Sequence, residues 1–393
     1  MFILIQFHNE VHQKFFFLIV TIAVISAAVS AIVASLLNNN NNSSSSQQNL
    51  HIKKNEKNDT LISVQVVFRH GHRTPEPGKL YKLDPYNNYS FHPENYGELT
   101  TKGRKVAYDL GQQLRQKYDS FLGKTNFYPG LIKSFVSGYD RTQMSLQCVH
   151  AGLFPNKNTI MGIPWQPIPY EVFEFDDDNR IGIMAHCKTL KVPHIKPTDN
   201  TTKNLFEFLS EKSGENITSY YDSIVVSNAF QVETGYGLEL PEWGKPLYPH
   251  PLLTFDEIGW AQFAKANIRL GAGGLLKMIT ENALRAKMAK HSETEHPKMV
   301  LYSGHDYTLL FLRHSLKIAN VDSANFGAHL IFELHKIHGH YGFKIFYNNY
   351  QKDHPISLKV PFCENDINGE SFCKLNTFIK NTEWYYDPTP VCY

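Results

Sequence analysis

Three short apolar runs in this chain each end in a cluster of polar and charged residues, and that repeat limits the fold more than any other feature. Leu61–Phe68 (LISVQVVF) leads into RHGHRTP, Leu131–Val136 (LIKSFV) into SGYDRT, and Met299–Tyr302 (MVLY) into SGHD. Apolar runs of this length read as strands of a sheet covered on both faces. Between the first two lies Leu99–Leu122, where Val106, Leu110, Leu114 and Tyr118 recur every four residues and mark one buried helical stripe. Strand, helix, strand in that order implies a right-handed crossover and a parallel sheet. Ligands of such sheets bind beyond the carboxyl ends of the strands, so three clusters far apart in sequence can meet at one site.

Residues about 180–295 read differently, with Pro, Asn and Gly punctuation followed by a longer helical stretch. Thr254-Phe-Asp-Glu257 has the pattern of a capping box opening that stretch. The expected architecture is therefore α/β, a three-layer core with a mainly parallel sheet and an inserted, mainly helical lobe over about 180–295. HLIFELHKIHGHYGFKIFYNN reads as a hairpin around a glycine-containing turn.

The first 60 residues belong to another class of sequence. Phe15–Leu37 is an uncharged apolar run long enough to cross a bilayer. It is also longer than the core of an ordinary signal peptide, and small residues at Ala28, Ser30 and Ala34 offer a cleavage site. Signal peptide and signal anchor both remain open. Lys14 precedes the run and no Lys or Arg follows until Lys53, so an uncleaved segment also leaves the domain outside the cytosol. Residues 38–60 form a low-complexity Asn/Ser/Gln linker, and the folded domain is expected over 61–393.

A formal net charge of +2, without a basic stripe, argues against a nucleic-acid partner. The five cysteines, Cys148, Cys187, Cys363, Cys373 and Cys392, form no zinc pattern, so no metal site and no cofactor is expected. After a targeting segment, disulfides are the natural reading, with one thiol left over. Sequons at Asn58, Asn88, Asn200 and Asn216 agree with a lumenal or extracellular fate, either extracellular or lysosomal.

The sharpest chemical signal is Arg69-His70-Gly71-His72-Arg73. Arginine's planar fork matches phosphate oxygens in pairs, and two buried arginines at a strand end call for an anion. The bland alternative is a charged surface turn. RHGxRTP after an apolar strand resembles the signature of the histidine acid phosphatase family, in its lysosomal, prostatic and venom branch. The resemblance runs from about residue 61 to the C-terminus and includes GELTTKGRKVAYDLGQQLRQKY, DRTQMSLQCVHAGLFP, YSGHDYTLL and the late cysteines.

The resemblance implies a phosphoglycerate mutase-like fold and hydrolysis of small phosphate monoesters at acid pH through a phosphohistidine. It implies His70 as the nucleophile and Asp306 as the proton donor to the leaving alcohol. It implies Arg69, Arg73, Arg141 and His305 as phosphate ligands. It also implies the disulfides Cys187–Cys392 and Cys363–Cys373, a free Cys148 in a buried helical position, and a homodimer. Two positions depart from the family pattern: Ser137-Gly138-Tyr139 before Asp140, and Tyr307 after the His-Asp pair. Alternatives on the same fold are a specialist for inositol polyphosphates or lysophospholipids, a phosphomutase, and a secreted binding protein without catalysis. Intact candidate residues weigh against the last. Bland readings suffice elsewhere: His72 as a pocket-side or surface residue, Asp176–Asp178 as a solvated loop, Gly271–Gly274 as a helix irregularity, and His335, His338 and His340 as surface or turn residues.

Overall fold

The computed structural model describes residues 60–123, 126–155, 165–185, 187–289, 296–318, 322–350, 354–363 and 371–387. The apolar run Phe15–Leu37, the linker, Asn58 and Cys392 lie outside them. Among the described residues, no helix is long and apolar enough to cross a membrane.

One mixed sheet organises the chain. Its strands are β1 (Leu61–Arg69), β2 (Ile132–Ser137), β3 (Glu171–Phe173), β4 (Met299–Gly304), β5 (His329–Ile337), β6 (His340–Asn348), β7 (Ile356–Ser357) and β8 (Cys373–Lys374). The order is β3-β2-β4-β1-β5-β6-β7, with β8 also on β6. β3, β2, β4 and β1 run parallel, as the crossover argument requires. β5 and β6 are antiparallel, because only two residues join them. His338 (φ 49°) and Gly339 (φ 80°) both take the left-handed conformation that such a turn demands.

Helices cover both faces. Val64, Val66 and Phe68 of β1 point to one face, where they meet Leu110 and Leu114 of α1 (Thr101–Leu122) and Leu146 and Val149 of α2 (Asp140–Leu153). Val67 points to the other face. There it joins Leu275, Leu276 and Ile279 of the long helix α5 (Leu252–Met288), Leu309 and Leu312 of α6 (Asp306–Ser315), and Phe378 of α7 (Leu375–Thr382). Gln65, fully buried in that second face, donates to Ile279 O and accepts from the Tyr302 hydroxyl, both at 2.8 Å. A buried amide is tolerable only with such partners.

The lobe has a separate core. Phe206 and Leu209 of α3 (Asn200–Ser213), Val226 and Phe230 of α4 (Ile224–Tyr236), and Leu252 and Phe255 pack with Tyr81 from the loop after the RHGHRTP segment. α5 kinks at Asn267, whose amide bonds the backbone of Lys191 and Phe263. Beyond the kink, α5 packs on the sheet, so the helix links lobe to core.

Several local expectations are corrected. The capping box at Thr254–Glu257 does not form: α5 starts three residues earlier, with Pro251 at its N-cap position, which leaves Thr254 to Glu257 inside the helix. The irregularity in α5 is at Asn267, not at Gly271–Gly274. Gly271 instead admits the Phe311 ring, which an added Cβ would meet at 2.3 Å. Asp178 is not solvated: it is 1% exposed and takes the N–H groups of Arg180, Ile181 and Gly182. His335 is half-buried, bonded to Glu333 at 3.0 Å. Cys363 and Cys373 are joined, and Cys187 is disulfide-bonded. Cys148 is free and half-buried rather than buried. Asn88, Asn200 and Asn216 are all exposed.

Candidate active site

The ends of the parallel strands deliver the charged clusters to one place. Arg69 is the last residue of β1, and the His70 N–H donates to Gly304 O at the end of β4. β4 hands over to His305 and Asp306, which open α6. β2 ends at Ser137, and Arg141 lies in the first turn of α2. All six candidate residues therefore converge, and Arg69, His70, Arg73, Arg141 and His305 are buried.

The loop carrying His70 and Arg73 is seated by backbone contact. An added Cβ on Gly71 would lie 2.1 Å from Gly103 O, and one on Gly103 would lie 2.0 Å from His72 O. Only glycine at both positions lets the loop lie on the start of α1. His72 is neither at the surface nor facing the pocket. Its Nδ1 meets the Thr100 hydroxyl, which caps α1, at 2.9 Å, and its Nε2 meets Val232 O of α4 at 3.1 Å. Burial lowers its pKa to about 4.

His70 Nδ1 lies 2.7 Å from Gly71 O, so Nδ1 carries the proton and Nε2 the lone pair. The Arg141 Nε–H points at that lone pair from 3.3 Å. Burial first, then Arg141, Arg69, His305 and Arg73, hold the His70 pKa well below its ordinary value. His305 is lowered in the same way, by burial and then by the same three arginines. Both rings are thus neutral amid positive charge.

Arg69 pairs with Asp306 at 2.8 Å, and its guanidinium lies 4.0 Å from the centre of the Phe326 ring. Asp306 remains 31% exposed and lines a cavity. Asp256, Glu257, Trp260, Tyr307 and Asp322 also line that cavity. Asp256 accepts from the hydroxyls of Ser227 and Ser323, and burial raises its pKa to about 6. The Nε groups of Arg69 and Arg73 are buried and have no hydrogen-bond partner among the described residues.

The two departures from the family pattern prove to be neighbours. Tyr307 stacks on His305 at 4.8 Å and Tyr139 meets the same ring edge-on at 5.0 Å. Arg141 lies 4.1 Å over the Tyr139 ring. Ser137 Oγ holds His305 Nε2 at 2.9 Å. Phe326, Asp256, Ser137 and Glu76 were missed as site residues in the sequence reading. Glu76, directly after the RHGHRTP segment, binds Arg141 at 2.6 Å. Among the described residues, no three His, Cys, Asp or Glu residues are grouped to hold a metal ion.

The family model described as histidine phosphatase superfamily (branch 2) matches residues 60–236. The venom acid phosphatase of Apis mellifera is 31% identical over 322 residues, which are 77% of this chain and 81% of that protein. The chain belongs to the histidine phosphatase superfamily. This phosphatase is also 27% identical to human lysosomal acid phosphatase, over 86% of its own length and 82% of the relative's. Among solved structures it resembles the Citrobacter braakii phytase with a TM-score of 0.63 at 17% identity, over 85% of this chain and all of that one. The apo Hafnia alvei phytase gives 0.61 at 14% identity, over 84% of this chain and 97% of that one. At these identities the phytases establish the fold alone.

Proposed function

We propose that this acid phosphatase hydrolyses phosphate monoesters through a phosphohistidine on His70, with Asp306 as proton donor and Arg69, Arg73, Arg141 and His305 as phosphate ligands. The observation that carries the proposal is the His70 Nε2 lone pair among three buried guanidinium groups, two of which have an orphaned Nε–H. A phosphate dianion repels anionic nucleophiles, whereas a neutral imidazole does not. The arginines spread the charge of the transition state from positions fixed in advance.

In the first step His70 Nε2 attacks phosphorus, the P–O bond to the alcohol breaks, and the leaving oxygen takes the proton of Asp306. In the second, water gives a proton to Asp306 and attacks phosphorus. The P–N bond electrons return to His70 and inorganic phosphate leaves. His305 Nε2 is engaged by Ser137, which holds the ring edge-on to His70 with ring centres 5.5 Å apart.

The Asn88, Asn200 and Asn216 sequons on exposed residues, together with the disulfides, support a domain working outside the cytosol behind the Phe15–Leu37 segment. The reading of residues 1–37 as signal peptide or signal anchor and 38–60 as linker is proposed with it, and within the lobe proposed over about 180–295 the part of α5 beyond Asn267 belongs to the sheet core. The homodimer implied by the resemblance is checked by sedimentation of the secreted domain.

The test is hydrolysis of p-nitrophenyl phosphate by the secreted domain from pH 4 to 8 with EDTA present, alongside His70→Ala. Activity at acid pH that His70→Ala abolishes, with a phosphoryl label stable to alkali and lost in acid, is the expected result. A folded His70→Ala enzyme that still turns over would sink the assignment.

A further inference from the structure

Glu76 lies where two of the phosphate arginines meet. Its Oε1 is 2.6 Å from Arg141 Nη2 and 3.8 Å from Arg73 Nε. Both arginine side chains are 8% exposed, against 29% for Glu76. A carboxylate offers a guanidinium fork the same paired oxygens as a phosphate does. An arriving phosphate group therefore meets an Arg141 whose Nη2 already holds an anion.

The tether is short and stiff. Pro75 and Pro77 flank Glu76 and fix φ on either side. The Glu76 carbonyl closes a turn with the Lys79 N–H at 3.1 Å, and the Gly97 N–H donates to the Pro75 carbonyl. A carboxylate so held competes as an intramolecular partner, at an effective concentration far above that of free anions.

We propose that Glu76 is a built-in anion that competes with phosphate groups for Arg141 and Arg73, and so sets how tightly the enzyme holds both its substrate and its product. The proposal rests on the reading of those arginines as phosphate ligands. Its chemical consequence falls mainly on product. Inorganic phosphate held by three buried arginines leaves slowly, and a slow release step limits turnover in many enzymes. Glu76 takes over Arg141 as the phosphate departs, so that guanidinium is never left buried without an anion.

A purely structural role, in which Glu76 only orients Arg141, has the opposite signature. Removing the carboxylate would then loosen Arg141 and weaken phosphate binding. Glu76→Gln keeps the size and removes the charge, and Glu76→Ala removes the group altogether. For each, the measurements are the inhibition constant of inorganic phosphate against p-nitrophenyl phosphate, and KM separately from kcat. Competition predicts that the inhibition constant and KM fall together, by about tenfold for one charge-assisted contact. No change, or a rise in either constant accompanied by a fall in kcat, overturns the proposal. His70→Ala separates the two layers. If that variant is active, the site reading fails whatever Glu76 does. If it is inactive and the phosphate constants of both Glu76 variants are unmoved, only the competition fails.

Discussion

Asp306→Asn tests the proton donor more sharply than loss of activity alone. Asn has nearly the size of Asp and keeps an oxygen to accept from Arg69, now 2.8 Å from the carboxylate. Arg69 also keeps its bond to Ala324 O and its seat on Phe326. Because Asp306 is a third exposed, loss of the ion pair costs about 1–2 kcal/mol of stability, less than for a fully buried pair. The folded enzyme then lacks only the transferable proton. p-Nitrophenolate is a stable anion and needs little help in leaving, whereas a glycerol alkoxide needs a proton. General acid catalysis contributes about 10²–10⁴-fold. The expected result is a fall in kcat of about 10³ on glycerol 2-phosphate, about 4 kcal/mol of barrier, and of about tenfold or less on p-nitrophenyl phosphate. Steady-state kinetics on both substrates at one acid pH, with thermal unfolding as a folding control, decides it. Equal losses on the two substrates would refute proton donation from this residue.

Phe326→Ala removes the ring under Arg69, a contact worth about 0.5–2 kcal/mol, and should raise the phosphate inhibition constant about 2- to 30-fold; an unchanged constant would show the ring to be filler. Glu233 is fully buried, and burial together with the Asp84 carboxyl raises its pKa well above the ordinary glutamate range. A folded state that binds more protons than the unfolded one loses stability as pH rises above about 4.5. Glu233→Gln should therefore raise Tm at pH 7.5 and do little at pH 4, and equal shifts at both pH values would contradict the assignment. The cavity beside Asp306 is lined by Asp256, Glu257 and Asp322 and, among the described residues, by no basic side chain except Arg69, so it offers the further phosphates of a polyanionic leaving group no partner. Inositol hexakisphosphate should have a kcat/KM about a hundredfold or more below that of p-nitrophenyl phosphate, and comparable values would favour the inositol polyphosphate specialist instead.

The parallel half of the sheet and the six candidate residues were legible because each strand ended in its own chemistry. Arg69, His70, Arg141, His305 and Asp306 all lie within a few residues of a strand end, where topology alone brings them together. Phe326 carried no such mark: it sits in a loop before β5, with no periodicity to show where its ring points. Asp256 lay between Thr254 and Glu257 of an expected capping box, and it is buried within a helix that already begins at Leu252. Asp178 looked solvated, and only the tertiary structure shows three backbone N–H groups wrapped round it. Tyr139 and Tyr307 stood out in the sequence as two separate departures. Their common contact with His305 is a fact of three dimensions.

His72, two residues from the nucleophile, is hydrogen-bonded at once to the cap of α1 and to a carbonyl of the lobe helix α4. An added Cβ on Gly235 of α4 would strike that imidazole at 2.3 Å. The lobe therefore cannot be exchanged for another as an independent specificity cassette. A graft that changes the pitch of α4 at Val232 or Gly235 would be felt at the nucleophile itself, and lobe and catalytic loop must be inherited, or engineered, as one unit.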